Sequence, residues 1–268
     1  MIYASDLDST LIYARSAIGS AESAVRLIET LNNEEISFMT ERAIEQLRGI
    51  VASGVTFVPV TTRTIAQYTR ISLFQDELVP EYAVVSNGGH IMQYGEPDHE
   101  WHESVLARIE RECMPWPDLL TKFRAINDEM WVLRNREADG LFHYFIVDTA
   151  RVPFDRLAEF GRQLEGWGWT MSLQGNKLYF VPEVCNKKAA VQHIMEREDD
   201  RRLIASGDSL LDLGFLTAAS AAIVPAHGEI YDQHRVGNSI EGSSLHFTSS
   251  SGILASEEIL AVVQNNIK

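Results

Sequence analysis

Four short stretches of this chain carry residues whose types and spacing suit chemistry. The first is Asp6-Leu7-Asp8-Ser9-Thr10. Carboxylates at i and i+2 alternate across a strand, but where a strand ends and the chain turns, both can reach one site. There one carboxylate can attack an electrophile while the other moves protons, and the two can share a hard cation such as Mg²⁺. The second is Ser206-Gly207-Asp208-Ser209-Leu210-Leu211-Asp212. Its two carboxylates lie four residues apart, one helical turn if a helix begins near Asp208, and Asp208 would complete an oxygen-rich cation site. The third is Thr61-Thr62-Arg63, where a hydroxyl and a backbone N–H beside a helix start make a cradle for an anion. The fourth is Asn186-Lys187-Lys188, where a lysine at a helix start can balance carboxylates and an anionic ligand. Each stretch also has a plain alternative: a solvated turn, an Asp helix cap, or a pair of lysines on a wet face.

The elements around these stretches decide between the two readings. Apolar runs over residues 1–5, 55–60, 82–86, 203–206 and 221–225 suit strands buried on both faces, as in a parallel sheet. Four of them run straight into polar groups: Asp6; Thr61, Thr62 and Arg63; Asn87 with Gly88 and Gly89; and Gly207 with Asp208. Segments of helical period lie between. Ala24, Val25, Ile28 and Leu31 fit one predicted helix; Ala43, Ile44, Leu47, Ile50 and Val51 fit another, with Thr40 as its N-cap. Alternating strand and helix predicts a doubly wound, Rossmann-like α/β sheet built from right-handed βαβ units. Ligands of such sheets bind at the carboxyl ends of the strands. The four stretches should therefore meet in one cleft.

The middle of the chain changes character. A long helical stretch over about 103–126 is interrupted near Pro115 and Pro117. Two strands follow, over 130–134 and 141–147, joined by an Asp139-Gly140 turn. A helix over about 154–164, an apolar stretch at 167–173 and a strand over 177–181 complete the region. We read a smaller α/β domain, 95–175, inserted into a core formed by 1–94 and 176–268. All five Trp residues lie in the insertion, and a small hydrophobic core accounts for them better than a sugar-stacking surface. Arg134 and Arg136 read as a solvated edge, His227 as part of a surface loop. The His99-Glu100-Trp101-His102 segment lacks the spacing of a zinc helix.

Composition narrows the partners. Lys and Arg number 23 against 38 Asp and Glu, a formal charge of −15. That balance disfavours nucleic acid and anionic membranes. The 2 cysteines, Cys113 and Cys185, make no CxxC pair, which excludes a disulfide framework or a Cys-rich zinc site. No signal-like segment and no apolar stretch of membrane-spanning length is present, so a cytoplasmic protein is expected.

Taken in order, the strand-end DxDxT, the T-x-R, the N-K and the GDxxxD resemble the haloacid dehalogenase superfamily of phosphohydrolases, and the resemblance spans essentially the whole chain. The insertion is similar to the second cap type of that superfamily, in its Cof-type, sucrose-phosphate phosphatase and mannosyl-phosphoglycerate phosphatase branch. Asn87-Gly88-Gly89 resembles a segment these proteins carry before the cap. The resemblance implies a phosphatase for a small phosphomonoester such as a sugar phosphate, with Asp6 as nucleophile and Asp8 as general acid, then base. It implies phosphate binding by Thr61, the Thr62 amide and Lys187, with Lys188 the competing lysine because it stands where the family often has Gly. It implies Mg²⁺ held by Asp6, the Asp8 carbonyl and Asp208, with Asp212 behind them, and substrate contacts from Arg63 and Asn87. Leu211 departs from the Asn usual in the Cof branch. A phosphomutase using the same intermediate and a non-catalytic phospho-ligand module are the competing readings. The oligomeric state and the substrate are not implied.

Overall fold

A computed structural model describes residues 1–19, 24–127, 130–237 and 245–267. The chain forms two compact units, Met1–Pro97 with Lys187–Lys268, and Asp98–Asn186. The first unit opens with β1 (Ile2–Ser5), β2 (Val25–Leu31), β3 (Glu34–Thr40), α1 (Glu41–Ala52), β4 (Thr56–Pro59), α2 (Ile65–Tyr68), β5 (Tyr82–Val85), β6 (His90–Gln93) and β7 (Glu96–Pro97). The second comprises α3 (His99–Glu112), α4 (Trp116–Phe123), β8 (Val132–Ala138), β9 (Phe142–Val147), α5 (Phe154–Leu164), β10 (Trp169–Gln174) and β11 (Lys177–Pro182). The first unit resumes with α6 (Lys187–Arg197), β12 (Leu203–Ser206), α7 (Leu213–Leu216), β13 (Ala221–Val224), α8 (Glu229–Arg235), β14 (Leu245–Phe247) and α9 (Leu254–Asn266).

The core of the first unit is a parallel sheet in the order β14-β13-β12-β1-β4. In β1, Ile2, Tyr3, Ala4 and Ser5 are all buried, as a strand covered on both faces requires. Its register places Ser5 beside Pro59 on one side and Ser206 on the other. The carboxyl ends of β1, β4 and β12 therefore lie side by side. Helix α1 starts where Thr40 accepts the amide of Ala43, satisfying one of the free N–H groups of its first turn. It buries Ala43, Ile44, Leu47 and Ile50, and α9 buries Ile259, Leu260 and Val263, in one cluster with Tyr3, Phe57, Ile204 and Ile223. Full burial of each such Leu or Ile contributes about 1.5–3 kcal/mol.

Two expectations change. The 24–31 segment, predicted helical, is strand β2, paired antiparallel with β3. Asn32 and Asn33 both adopt positive φ, 51° and 65°, which makes the two-residue turn that a twisted hairpin prefers. Apolar spacing over eight residues is too short to separate helix from strand, and the turn together with the β-branched Val25, Ile28 and Thr30 favours the strand. Strand β5 was expected among the parallel strands. It runs parallel beside the chain just past β4, through the Val60–Val84 bridge, but its ladder is the antiparallel sheet β5-β6-β7.

The second unit holds an antiparallel sheet in the order β10-β11-β9-β8. Strand β11 pairs with both β10 and β9, which is why this unit extends past residue 175 to Asn186. The Asp139-Gly140 turn joins β8 to β9 with φ of 49° and 71°. Leu119 and Phe123 of α4 and Leu157, Phe160 and Leu164 of α5 pack on Phe145, Val147, Leu178 and Phe180. Trp131 and Trp169 are buried in that core and Trp116 and Trp167 pack against it, so the tryptophans serve mainly as core. Among the described residues no helix is long and apolar enough to cross a membrane.

Candidate active site

The carboxylates of the first stretch are presented by a tight turn at the end of β1. The Leu7 carbonyl accepts the amides of Thr10, Leu11 and Ile12 at 3.1, 2.9 and 2.9 Å, and Ser9 takes a positive φ of 62° to close the loop. The Asp6 amide still donates to the Ser206 carbonyl at 2.9 Å, so Asp6 is the last residue held by the sheet ladder. Below it lie buried hydroxyls that sequence reasoning missed. Ser5 Oγ donates to the Asp6 carbonyl at 2.7 Å and lies 2.7 Å from Ser206 Oγ, which also meets the Tyr3 hydroxyl at 2.8 Å. Hydroxyls replace apolar atoms where the backbone carrying Asp6 must be held from beneath.

Lys187, the first residue of α6, is 1% exposed, and its Nζ lies 2.6 Å from Asp6 Oδ1 and 2.6 Å from Asp212 Oδ1. The geometry thus distinguishes the two lysines: Lys188 is exposed, with its aliphatic stem close to Gly214. Asp212 is fully buried. Its Oδ2 accepts the amides of Asp208 at 3.1 Å and Ser209 at 2.9 Å, and the Ser209 hydroxyl at 3.0 Å. With Lys187 on Oδ1, both its oxygens are engaged. Asp212 orders the loop and aims the lysine.

Asp6, Asp208 and Asp212 each offer a carboxylate oxygen within 4.8 Å of the others. Three carboxylates thus crowd one ammonium. Burial, then the neighbouring charges of Asp6 and Asp212, push the Asp208 carboxyl well above the usual carboxylate range. Burial also raises Asp6, against the pull of Lys187 and with a further push from Asp212 and Asp8. Burial works against the Lys187 ammonium, but Asp212 and Asp6 outweigh it and hold it charged. Ionised together, the three carboxylates carry more negative charge than one lysine neutralises. Gly207 and Gly228 permit this crowding. A Cβ on Gly207 would come 2.6 Å from Asp212 Cβ, and one on Gly228 would come 2.7 Å from Asp208 Oδ2.

Thr61 follows the end of β4, next to β1. It is buried, its hydroxyl accepts the Arg63 amide at 3.1 Å, and its own O–H proton remains to be donated. Thr62 beside it is half-buried. Asn87 is buried in a positive-φ turn (56°) and donates its amide to the Thr61 carbonyl at 2.9 Å, so it backs the threonine loop. Arg63, read in the sequence as a substrate contact, is 9% exposed and turned inward. Its Nε and Nη2 meet Asp8 Oδ2 and Oδ1 at 2.7 and 2.8 Å, and its Nη1 meets Glu29 at 2.7 Å.

Sequence reasoning missed Glu29, Thr10 and His227. Glu29 is the one carboxylate of the segment Val25–Leu31, which also carries Arg26 and Thr30, so in sequence it reads as an ordinary charge. Thr10 lies within the first motif and sets its hydroxyl 3.4 Å from Asp6 Oδ2. His227 accepts the Gly252 amide on Nδ1 at 3.2 Å, so its Nε2 carries the proton it donates to the Ser9 carbonyl at 2.8 Å. It braces the turn that follows Asp8, and no spacing in the sequence announced that.

No protein-family model matches the sequence, and no curated protein matches it. Solved structures do. A sucrose-phosphatase from Synechocystis sp. PCC6803, solved with sucrose and phosphate, superposes with a TM-score of 0.70 at 15% identity, over 99% of this chain and 98% of that one. A sugar phosphatase of haloacid dehalogenase subclass IIB gives a TM-score of 0.58 at 12% identity, over 100% and 99% of the two chains. A Thermoplasma acidophilum protein gives 0.58 at 16% identity, over 100% and 98%. The chain has the fold of these proteins, a parallel α/β core with a second α/β unit between its halves.

Proposed function

We propose that this chain is a phosphatase for a small phosphomonoester, working through an aspartyl-phosphate on Asp6. One observation carries the proposal: the Lys187 ammonium spans Asp6 and Asp212 at 2.6 Å each, with Asp208 alongside, at the carboxyl ends of adjacent parallel strands. A lysine held so tightly against Asp6 both orients that carboxylate and offsets the charge of an approaching phosphoryl group. The likeness to a sucrose-phosphatase bound to sucrose and phosphate makes sugar phosphates the first substrates to try.

The donor set suits a hard cation, since it consists of oxygens in a site with surplus negative charge. Asp6, the Asp8 carbonyl and Asp208 would hold Mg²⁺, with Asp212 ordering their loop. When bound, Mg²⁺ neutralises phosphoryl oxygens that would otherwise repel Asp6.

The residues then divide the work. An Asp6 oxygen bonds to phosphorus as the bond to the leaving oxygen breaks, and Asp8 gives that oxygen its proton. Thr61, the Thr62 amide and Lys187 hold the transferring phosphoryl oxygens. Water next attacks the phosphorus, its proton passes to Asp8, and the Asp6–phosphorus bond breaks. The sum is monoester plus water giving alcohol plus phosphate.

The test is phosphate release from a panel of sugar phosphates, glycerate phosphates and nucleotides, with Mg²⁺ and with EDTA, beside Asp6→Asn. Release that needs Mg²⁺ and disappears in Asp6→Asn is expected. Full activity in Asp6→Asn overturns the proposal. Mass spectrometry of the products separates free phosphate from an isomerised sugar phosphate.

A further inference from the structure

Glu29 is a fully buried carboxylate that the chemistry above does not use. It lies in β2, where Ile28 and Glu29 are buried in succession although strand residues normally alternate between faces. The pairing of β2 with β3 shifts register on both sides of Glu29, a bulge that re-aims one side chain. That side chain points into a cluster of polar groups. Its Oε2 accepts Arg63 Nη1 at 2.7 Å and the Ser37 hydroxyl at 2.6 Å, and its Oε1 accepts Arg70 Nε at 3.1 Å. Arg63 Nη2 also meets the Ser37 hydroxyl at 3.1 Å.

The guanidinium of Arg63 is planar, so two fixed points along one edge determine where the other edge faces. Glu29 on Nη1 and Ser37 on Nη2 are those points, and the adjoining edge, Nε with the same Nη2, grips both oxygens of Asp8. The backbone of Arg63 is pinned as well, through its amide to Thr61 Oγ1 at 3.1 Å and through its carbonyl, which accepts the Ser86 amide at 2.7 Å. Exposure rises along the chain of charges: the side chain of Glu29 is 0% exposed, that of Arg63 10%, and that of Asp8 54%. Asp8, the exposed end, would sample several rotamers if nothing held it. Its orientation is set from a buried carboxylate on a different element.

We propose that Glu29 is a positioning residue for Asp8, acting through the fork of Arg63. This rests on Asp8 being the group that protonates the leaving oxygen. Such proton donation matters most when the leaving group is a poor one, as an alkoxide is, and least when it is a stabilised phenolate. A defect in Asp8 orientation therefore depends on the leaving group, whereas general loosening of the site does not.

The experiment compares kcat/KM for benzyl phosphate and p-nitrophenyl phosphate in the full chain with Mg²⁺. It uses wild type, Glu29→Gln, Asp8→Asn and the double variant. Glu29→Gln keeps the shape and an acceptor but removes the charge. We expect it to lower kcat/KM for benzyl phosphate by about tenfold and that for p-nitrophenyl phosphate by no more than about twofold, part of the 10²–10⁴ that a positioned acid supplies. Asp8→Asn should shift the same ratio further, and adding Glu29→Gln to it should change nothing. Equal loss on both substrates in Glu29→Gln, no loss, or losses that multiply in the double variant overturn the proposal. An unchanged ratio in Asp8→Asn overturns the reading of Asp8, and the proposal with it. If Glu29→Gln does not fold by circular dichroism, Ser37→Ala carries the same comparison: a ratio shifted in the same direction supports the proposal, and an unshifted one overturns it.

Discussion

Lys187 and Lys188 are neighbours of the same type, yet only Lys187 is buried against carboxylates. Replacing it leaves Asp6 and Asp212 buried without their counter-charge. Breaking such a pair costs about 3–5 kcal/mol when one partner goes. Lys187→Ala should therefore lose turnover and also melt at lower temperature, whereas Lys188→Ala should lie within about 0.5 kcal/mol of wild type and keep its activity. Thermal melts and phosphate release on both variants check this; equal loss in the two would contradict the geometry. Asp212 makes a related point. Its oxygens accept Lys187, the amides of Asp208 and Ser209 and the Ser209 hydroxyl, so it orders the loop that carries Asp208.

Among the elements, the loop after β12 is the most constrained. It must fold Asp212 back beneath the amides of Asp208 and Ser209, and a side chain at Gly207 would occupy the space Asp212 needs. Gly207→Ala should displace Asp212 and unseat Lys187 while leaving the sheet intact. A misplacement of this order costs about 10–100-fold in rate, measurable as lost turnover with an unchanged far-ultraviolet circular dichroism spectrum. Unimpaired turnover would mean the loop relaxes at no cost. The hairpin of β2 and β3 is the other informative element. Its first strand is predicted as helix over 24–31 because eight residues of apolar spacing fit both periods, and the Asn32-Asn33 turn decides for the strand. That misreading also hid Glu29: on the predicted helix it is one more charge, while in a bulged strand it is turned inward and buried.

For the whole molecule, the three carboxylates gathered at the strand ends predict that a divalent cation raises stability. Any ligand that binds only the folded state raises stability, by about 2.7 kcal/mol at a hundredfold excess over Kd. For a chain of this length that is several degrees in Tm. Mg²⁺ should raise Tm over an EDTA control, and Asp208→Asn should remove most of the rise. A melting curve indifferent to Mg²⁺ would argue against the cation site.

Several features were legible without coordinates. Runs of buried-strand residues ending in Asp6, Thr61 and Asp208 named the sheet and the end of it where these polar groups gather, because a parallel sheet buries both faces of each strand and leaves only its ends for polar groups. The Thr40 cap and the Asp139-Gly140 turn were legible for the same local reason: both are satisfied by neighbours in sequence. The structure alone buried Lys187 while leaving Lys188 exposed, set Arg63 against Asp8 and Glu29, and so joined Glu29 to Asp8. Those outcomes depend on which side chains meet across elements distant in sequence, and on which of them are deprived of water. Charge pairing in a buried site is settled by three-dimensional neighbours, and a one-dimensional pattern does not contain them.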